Sequence, residues 1–254
     1  MSVVELPLSV FVVDDEPPAR NRLKELLTDC AEQLPLKLVG EAGNGLEALD
    51  TLSDIRADVV LVDIRMPQMD GIELAQHLNN LPEPPVIIFT TAFDAYAIKA
   101  FELHAVDYLL KPIRLRRLFD ALVRARTAVP IRTEELQSIA TEPRRNLSVH
   151  ERGKIYLIPI EQVLYLRAEL KYITVRTVQR EYLIEEALAS LEKEFAARFV
   201  RIHRNCLVAK EQIGGFEKVA DEEGGETHWA VRLKGWDERL AISRRQQFIV
   251  KEFS

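Results

Sequence analysis

The chain has 254 residues with a net charge of −6; 47% of residues are hydrophobic and 29% charged. That length suits two ordinary domains or one large one, and no window holds the roughly 18 apolar residues a membrane helix needs. With no basic-then-apolar leader at the N-terminus, the chain is expected to be cytoplasmic.

The acid is unevenly placed. Residues 1–145 hold 16 Lys and Arg against 23 Asp and Glu, whereas residues 146–254 hold 18 against 17. A near-neutral second half can still bind nucleic acid if its bases share one face. Cys30 and Cys206 lie far apart and read as buried free thiols.

Short apolar runs recur along the first ~125 residues: Val10–Val13, Leu38–Gly40, Val59–Val62, Val86–Phe89 and Tyr108–Leu110. Helical spacing fills the gaps between them. Leu23, Leu26 and Leu27 share one face, then Leu46, Leu49 and Leu52, then Ile72, Ala75 and Leu78. Tyr96, Ala97, Ala100 and Phe101 follow, and Leu115, Leu118, Phe119 and Leu122 make the last. Five strand–helix units predict a parallel sheet covered on both faces. Residues 127–146 lose this period; Pro130, Pro143 and charges including Arg144 and Arg145 read as a linker.

From Leu147 short alternating strands dominate: Lys154–Ile158, Val163–Leu166, Tyr172–Val178, Phe199–His203, Val208–Phe216, Trp229–Leu233 and Arg239–Ile242. One helix interrupts them, with Leu188, Leu191 and Phe195 on a face and Glu185, Glu186, Glu192 and Glu194 around it. So acidic a helix suits DNA poorly. Gly224-Gly225 suits a hairpin turn.

Asp14 and Asp15 follow the first strand and Asp63 ends the third. Ligands of open parallel sheets bind beyond such strand ends. One such Asp is ordinarily a helix cap, but three on two strands repel unless a cation sits among them, and all-oxygen donors suit Mg²⁺. Lys111, at the fifth strand end, could pair with an added phosphoryl group; alone it reads as a surface lysine. Thr91 could donate to that group or cap a helix, and Tyr108 alone is an ordinary core tyrosine.

Together Asp14-Asp15, Asp63 with Met66-Pro67 and Asp70-Gly71, Thr91-Ala92, and Tyr108 with Lys111-Pro112 resemble the receiver domain of bacterial response regulators. The resemblance implies a doubly wound, flavodoxin-like α/β domain over 1–126. Asp63 would be the phosphoacceptor, with Mg²⁺ held by Asp14, Asp15, Asp63 and the backbone carbonyl of Arg65. Thr91 and Lys111 would bind the phosphoryl group and Tyr108 would be the switch aromatic. The phosphoryl donor would be a sensor histidine kinase. A face including Lys99, Glu102, Asp107, Arg116 and Asp120 would serve a homodimer.

In the second half, basic or polar residues gather where strands end: Lys171 and Tyr172, Arg201 with His203, Arg204 and Asn205, and Arg244 with Arg245. Arginine can fork onto guanine edges and lysine can anchor phosphates. Leu164-Tyr165-Leu166 with Lys171-Tyr172, the run Phe199–Asn205 and Ile242–Arg245 resemble the LytTR DNA-binding domain. That implies a mostly-β domain over 147–254 that places loops in major grooves of promoter DNA. Lys171, Tyr172, Arg204 and Arg244 would touch DNA, with Asn205 and Arg245 beside them. His203 would bond inside the domain, and Asp221–Glu226 would face away.

The whole reads as a phosphorylation-controlled transcription regulator rather than an enzyme. A Mg²⁺-dependent phosphohydrolase would want a second acid two residues after Asp63, where Arg65 stands. The alternative is a receiver controlling a protein-binding β module without DNA contact.

Overall fold

The computed structural model describes residues 6–81, 83–92, 107–128, 143–151, 154–220 and 227–253. The chain divides into two compact units, residues 1–142 with 150–156, and residues 143–149 with 157–254. The expected helix around Tyr96–Phe101, the receiver face residues Lys99 and Glu102, and the turn at Gly224-Gly225 lie outside the described residues.

The first unit begins with β1 (Leu8–Val13), α1 (Pro17–Ala31), β2 (Leu36–Ala42), α2 (Gly45–Asp54), β3 (Val59–Asp63) and α3 (Gly71–Asn79). It continues with β4 (Val86–Thr91), β5 (Asp107–Leu110) and α4 (Leu115–Ala125). The strands pair in parallel, in the order β2-β1-β3-β4-β5. Alternation sorts their side chains between two faces. Val10, Val12, Val59, Leu61 and Ile88 pack with Leu23, Leu26, Leu27, Leu118 and Leu122 of α1 and α4. Phe11, Val60, Val62 and Phe89, intervening residues of the same strands, are equally buried. Two helix positions differ from the periodic pattern: Leu46 and Leu115 are exposed. Each lies in its helix's first turn, at the rim of the apolar stripe, so Ala48 and Ala121 take the buried places instead.

Strand order reverses between β1 and β3, since β2 leaves β1 on one side and β3 joins it on the other. This reversal makes the crevice at the carboxyl ends of the sheet. The helix starts beside it are fixed by local chemistry. Pro17 and Pro18 open α1, where a missing N–H removes nothing. Asn44 caps α2 by accepting from Glu47 N at 2.9 Å, and Asp70 caps α3 by accepting from Ile72 N and Glu73 N at 3.0 and 2.8 Å. Gly71 is required by contact: a Cβ there would stand 2.1 Å from the Asp63 carbonyl oxygen.

The second half starts with the paired strands β6 (Asn146–Glu151) and β7 (Lys154–Pro159). Then come β8 (Val163–Glu169), β9 (Tyr172–Thr177), β10 (Glu181–Ile184), α5 (Leu188–Glu194), β11 (Phe199–His203) and β12 (Cys206–Ala209). These strands form an antiparallel sheet in the order β10-β9-β8-β12-β11. A second sheet joins β13 (Ile213–Ala220), β14 (Thr227–Leu233) and β15 (Arg239–Ala241), and α6 (Phe248–Glu252) ends the chain. One face of the larger sheet packs Leu188 and Leu191 of α5, with Phe195 at its C-terminal cap, against Leu166, Val175 and Leu207. The other packs Leu164, Ile202 and Val208 against Val231, Leu240 and Ile249.

The single strand expected over Val208–Phe216 is two strands in different sheets, split by a turn at Lys210–Gln212. Apolar residues continue across the turn because Ala209 and Ile213 each pack on a core, so alternation alone does not mark the break. Arg144 also departs from its expected place in a solvated linker. It is fully buried, donating to Glu186 at 2.8 Å and to Glu194 at 2.9 Å. Both Glu186 and Glu194 are therefore drawn inward rather than lining an exposed acidic helix. Burial pulls against the Arg144 charge, yet the two carboxylates hold its guanidinium more firmly protonated than usual. Both cysteines are buried and free.

Candidate functional site

The crevice of the first unit gathers the expected acidic residues. Asp14 follows β1, Asp63 ends β3, and one carboxylate oxygen from each of Asp14, Asp15 and Asp63 falls within a 4.8 Å cluster. Asp14 and Asp63 are buried and Asp15 is exposed, so the cluster opens to solvent on one side. Lys111 reaches across from the end of β5. Its Nζ stands 2.7 Å from Asp14 Oδ2 and 2.8 Å from Asp63 Oδ2. Its backbone is pinned by donation from Lys111 N to Thr91 O at 2.8 Å, and Lys111-Pro112 is cis.

Burial pushes the Asp63 carboxyl above the usual carboxylate range; the Lys111 ammonium opposes this and the Asp14 charge adds to it. Burial lowers Lys111, but its hydrogen bonds to Asp14 and Asp63 outweigh that and raise it overall. An acidic nest holding one internal cation suits exchange of that cation for another.

Thr91 is wholly buried at the end of β4, and Tyr108 is buried on β5. Arg65 is exposed, and its N–H approaches Asp63 Oδ1 at 3.4 Å. Arg20 was not singled out from sequence, yet its Nη1 donates to the Asp14 carbonyl at 2.7 Å. Its position one turn into α1, facing the β1 end, is the only sequence signal for it. Asp107, expected on a dimer face, is paired inside the unit with Arg117 and Arg124.

The three basic clusters of the second unit meet at one end of its larger sheet. Glu169 pairs with Tyr172 as the last rung of β8 and β9, so Leu170 and Lys171 form the turn beyond it. The β11–β12 turn adjoins, because Ala168 N donates to Asn205 O at 2.7 Å. Ser243 N donates to Ile202 O at 2.9 Å, which brings Arg244 and Arg245 to the same end. Arg204, Arg244 and Arg245 are exposed. Lys171 lies 4.6 Å from the Tyr172 ring centroid and 3.4 Å from Glu185.

His203 and Asn205 are hydrogen-bonded to each other, and Asn205 Nδ2 donates to Ala168 O at 3.3 Å. The Asn205 amide thus shapes the turn that presents Arg204. Arg201 is likewise turned inward, to Glu192 at 2.6 Å and to the Arg204 carbonyl at 2.8 Å. Sequence reasoning missed Glu238, which accepts from Tyr165 Oη at 2.8 Å and from Arg167 at 3.2 Å. This carboxylate ties the loop before β15 to β8. The available signal was Tyr165 itself, since a buried phenol needs a polar partner.

Comparison with known proteins agrees with both halves. The response regulator receiver domain model matches residues 10–123, and the LytTr DNA-binding domain model matches residues 153–253. The positive alginate biosynthesis regulatory protein of Pseudomonas aeruginosa is 42% identical over 243 residues, covering 94% of this chain and 95% of that protein. The transcriptional regulatory protein BtsR of Escherichia coli is 35% identical over 230 residues, covering 89% and 91%. Among solved structures, the response regulatory domain of mrkE from Klebsiella pneumoniae shares 34% identity with a TM-score of 0.42, covering 47% of this chain and 96% of that one. With both models matched in order, and relatives 35–42% identical over more than nine-tenths of their length, the chain belongs to the two-component response regulators that join a receiver to a LytTR domain, and is a DNA-binding transcriptional regulator.

Proposed function

We propose that Asp63 accepts a phosphoryl group from the phosphohistidine of a sensor histidine kinase, and that the added charge controls promoter binding by the second domain. The cluster of Asp14, Asp15 and Asp63 around the Lys111 ammonium carries this reading. The boundaries proposed are a receiver over 1–126, a linker over 127–146 whose last residues, Arg144 and Asn146, are already built into the second unit, and a DNA-binding domain over 147–254.

A donor set of three carboxylate oxygens, open on the Asp15 side, fits Mg²⁺. Asp14, Asp15, Asp63 and the Arg65 carbonyl would hold it, and it would supply neutralising charge for the incoming phosphoryl group. An Asp63 carboxylate oxygen attacks phosphorus, the phosphorus–nitrogen bond to the donor imidazole breaks, and the imidazole nitrogen takes up a proton. The product is an acyl phosphate carrying about −2 where the carboxylate carried −1. Lys111 then follows the charge from the two carboxylates to a phosphoryl oxygen. The Thr91 hydroxyl donates to another, and Tyr108 turns into the space Thr91 vacates. Such a shift biases a two-state surface, and a receiver homodimer would place two DNA modules on spaced half-sites.

At the DNA end, Lys171 anchors phosphate, Arg204 and Arg244 read base edges, and Tyr172 and Arg245 flank them. Asn205 positions Arg204. The chain acts as a switch rather than an enzyme. No helix among the described residues is long and apolar enough to cross a membrane.

The test is labelling with a small phosphodonor and Mg²⁺. Wild type incorporates label and Asp63→Asn does not; undiminished labelling of Asp63→Asn removes Asp63 from the role.

A further inference from the structure

Leu170 combines two features that neither core packing nor turn formation explains. It is fully exposed, at 107% of its reference area, so its side chain packs on nothing in its own domain. It also has φ 54°, at the first central position of the two-residue turn between β8 and β9. Glycine takes that conformation freely, and asparagine or aspartate tolerates it, whereas a leucine Cβ crowds the following carbonyl.

The turn stands at the sheet end shared with Lys171, Tyr172, Arg204, Arg244 and Arg245. The bond from Ala168 to Asn205 and that from Ser243 to Ile202 fix this placement. Glu169 precedes the turn, and Lys171 within it is paired with Glu185 at 3.4 Å. An apolar tip at the sheet end that also carries exposed arginines matches one feature of duplex DNA. The major groove presents thymine 5-methyl groups among hydrogen-bonding edges and phosphates.

We propose that Leu170 is a sequence-reading residue of this chain, packing its side chain on a thymine 5-methyl group in the major groove. This rests on the reading that the Lys171–Arg204–Arg244 end faces DNA. Leu170 would choose thymine at one position of each half-site, while Lys171 beside it anchors phosphate and Arg204 and Arg244 read other base edges.

The experiment uses the full-length protein and DNA selected by wild type from a pool of random duplexes. Each thymine of the selected half-site is replaced in turn by deoxyuridine, which removes only the methyl group. Wild type is expected to lose about fourfold in affinity at one of these positions, the worth of one buried methyl group. Leu170→Asn, which suits the positive φ, should bind thymine and deoxyuridine duplexes equally, with a melting temperature no lower than wild type and an unchanged salt slope. Lys171→Ala should instead weaken binding to every duplex and reduce the salt slope by about one. If Leu170→Asn keeps the wild-type preference for thymine, or wild type shows none at any position, the assignment of Leu170 is wrong while the DNA-facing end stands. If wild type enriches no sequence, or Lys171→Ala and Arg204→Ala bind like wild type, the DNA-facing end itself is misplaced and the Leu170 assignment falls with it.

Discussion

The Lys111 ammonium lies 2.8 Å from Asp63 Oδ2, and the same nitrogen is 2.7 Å from Asp14. In the unphosphorylated chain this lysine therefore occupies the charge position that a divalent cation would share. A unit charge about 4 Å away is worth roughly 1 kcal/mol in water and about 4 near a protein surface. Lys111→Ala is accordingly expected to tighten Mg²⁺ binding by about tenfold or more, near 1.4 kcal/mol, in a fluorescence or calorimetric titration. The same variant should become phosphorylated yet fail to gain DNA affinity. Unchanged or weaker Mg²⁺ binding would show that Lys111 does not compete at the site.

Mg²⁺ itself should stabilise the first unit, since it binds the folded cluster and not the separated aspartates. At a hundredfold excess over its dissociation constant the gain is about 2.7 kcal/mol. A calorimetric scan should show the melting temperature rising with Mg²⁺ in wild type and not in Asp14→Asn.

Gly71 packs its α-carbon against the strand end that carries Asp63. A Cβ there would stand 2.1 Å from the Asp63 carbonyl oxygen and 2.9 Å from its carbon, both backbone atoms that cannot swing away. Gly71→Ala should lower stability by about 1–3 kcal/mol, as overpacking does, and slow phosphodonor labelling by displacing the Asp63 backbone. Normal labelling kinetics in a folded Gly71→Ala protein would contradict this.

Arg144 is the buried cation between Glu186 and Glu194. Removing it leaves two buried carboxylates without their partner, a change worth about 3–5 kcal/mol. Both tryptophans, Trp229 and Trp236, belong to the second unit, so fluorescence-detected urea unfolding of Arg144→Ala reports that unit alone. A midpoint equal to wild type would refute the account of this triad.

The first site was legible in the sequence because its chemistry sits at strand ends, which apolar runs mark directly: Val10–Val13 leads to Asp14, Val59–Val62 to Asp63, and Tyr108–Leu110 to Lys111. What lies across the fold from a residue was not legible. The Arg144–Glu194 pair spans 50 residues of sequence and Tyr165–Glu238 spans 73. Each partner read alone is a solvated charge or a core tyrosine. Leu170 was hidden for a different reason: positive φ belongs to the turn's geometry, and leucine does not announce it.

Asn205 illustrates the same limit at the DNA end. Its amide closes the turn on His203 and Ala168, so Asn205→Ala should weaken binding and relax the choice at the position Arg204 reads, by less than removing Arg204 itself. Arg204→Ala should cost about 1–3 kcal/mol on the selected sequence and relax the choice at its own position. A gel-shift titration against matched and mutated duplexes separates the two.

The central claim is that a single carboxylate, Asp63, receives the phosphoryl group. Borohydride reduction of the phosphorylated full-length protein, followed by peptide mass spectrometry, converts an acyl phosphate to the corresponding alcohol and so identifies its position. Reduction at Asp63 alone, dependent on Mg²⁺ and absent from protein not exposed to phosphodonor, is the predicted result. Reduction at Asp14 or Asp15 instead, or at no aspartate of the cluster, would contradict the account.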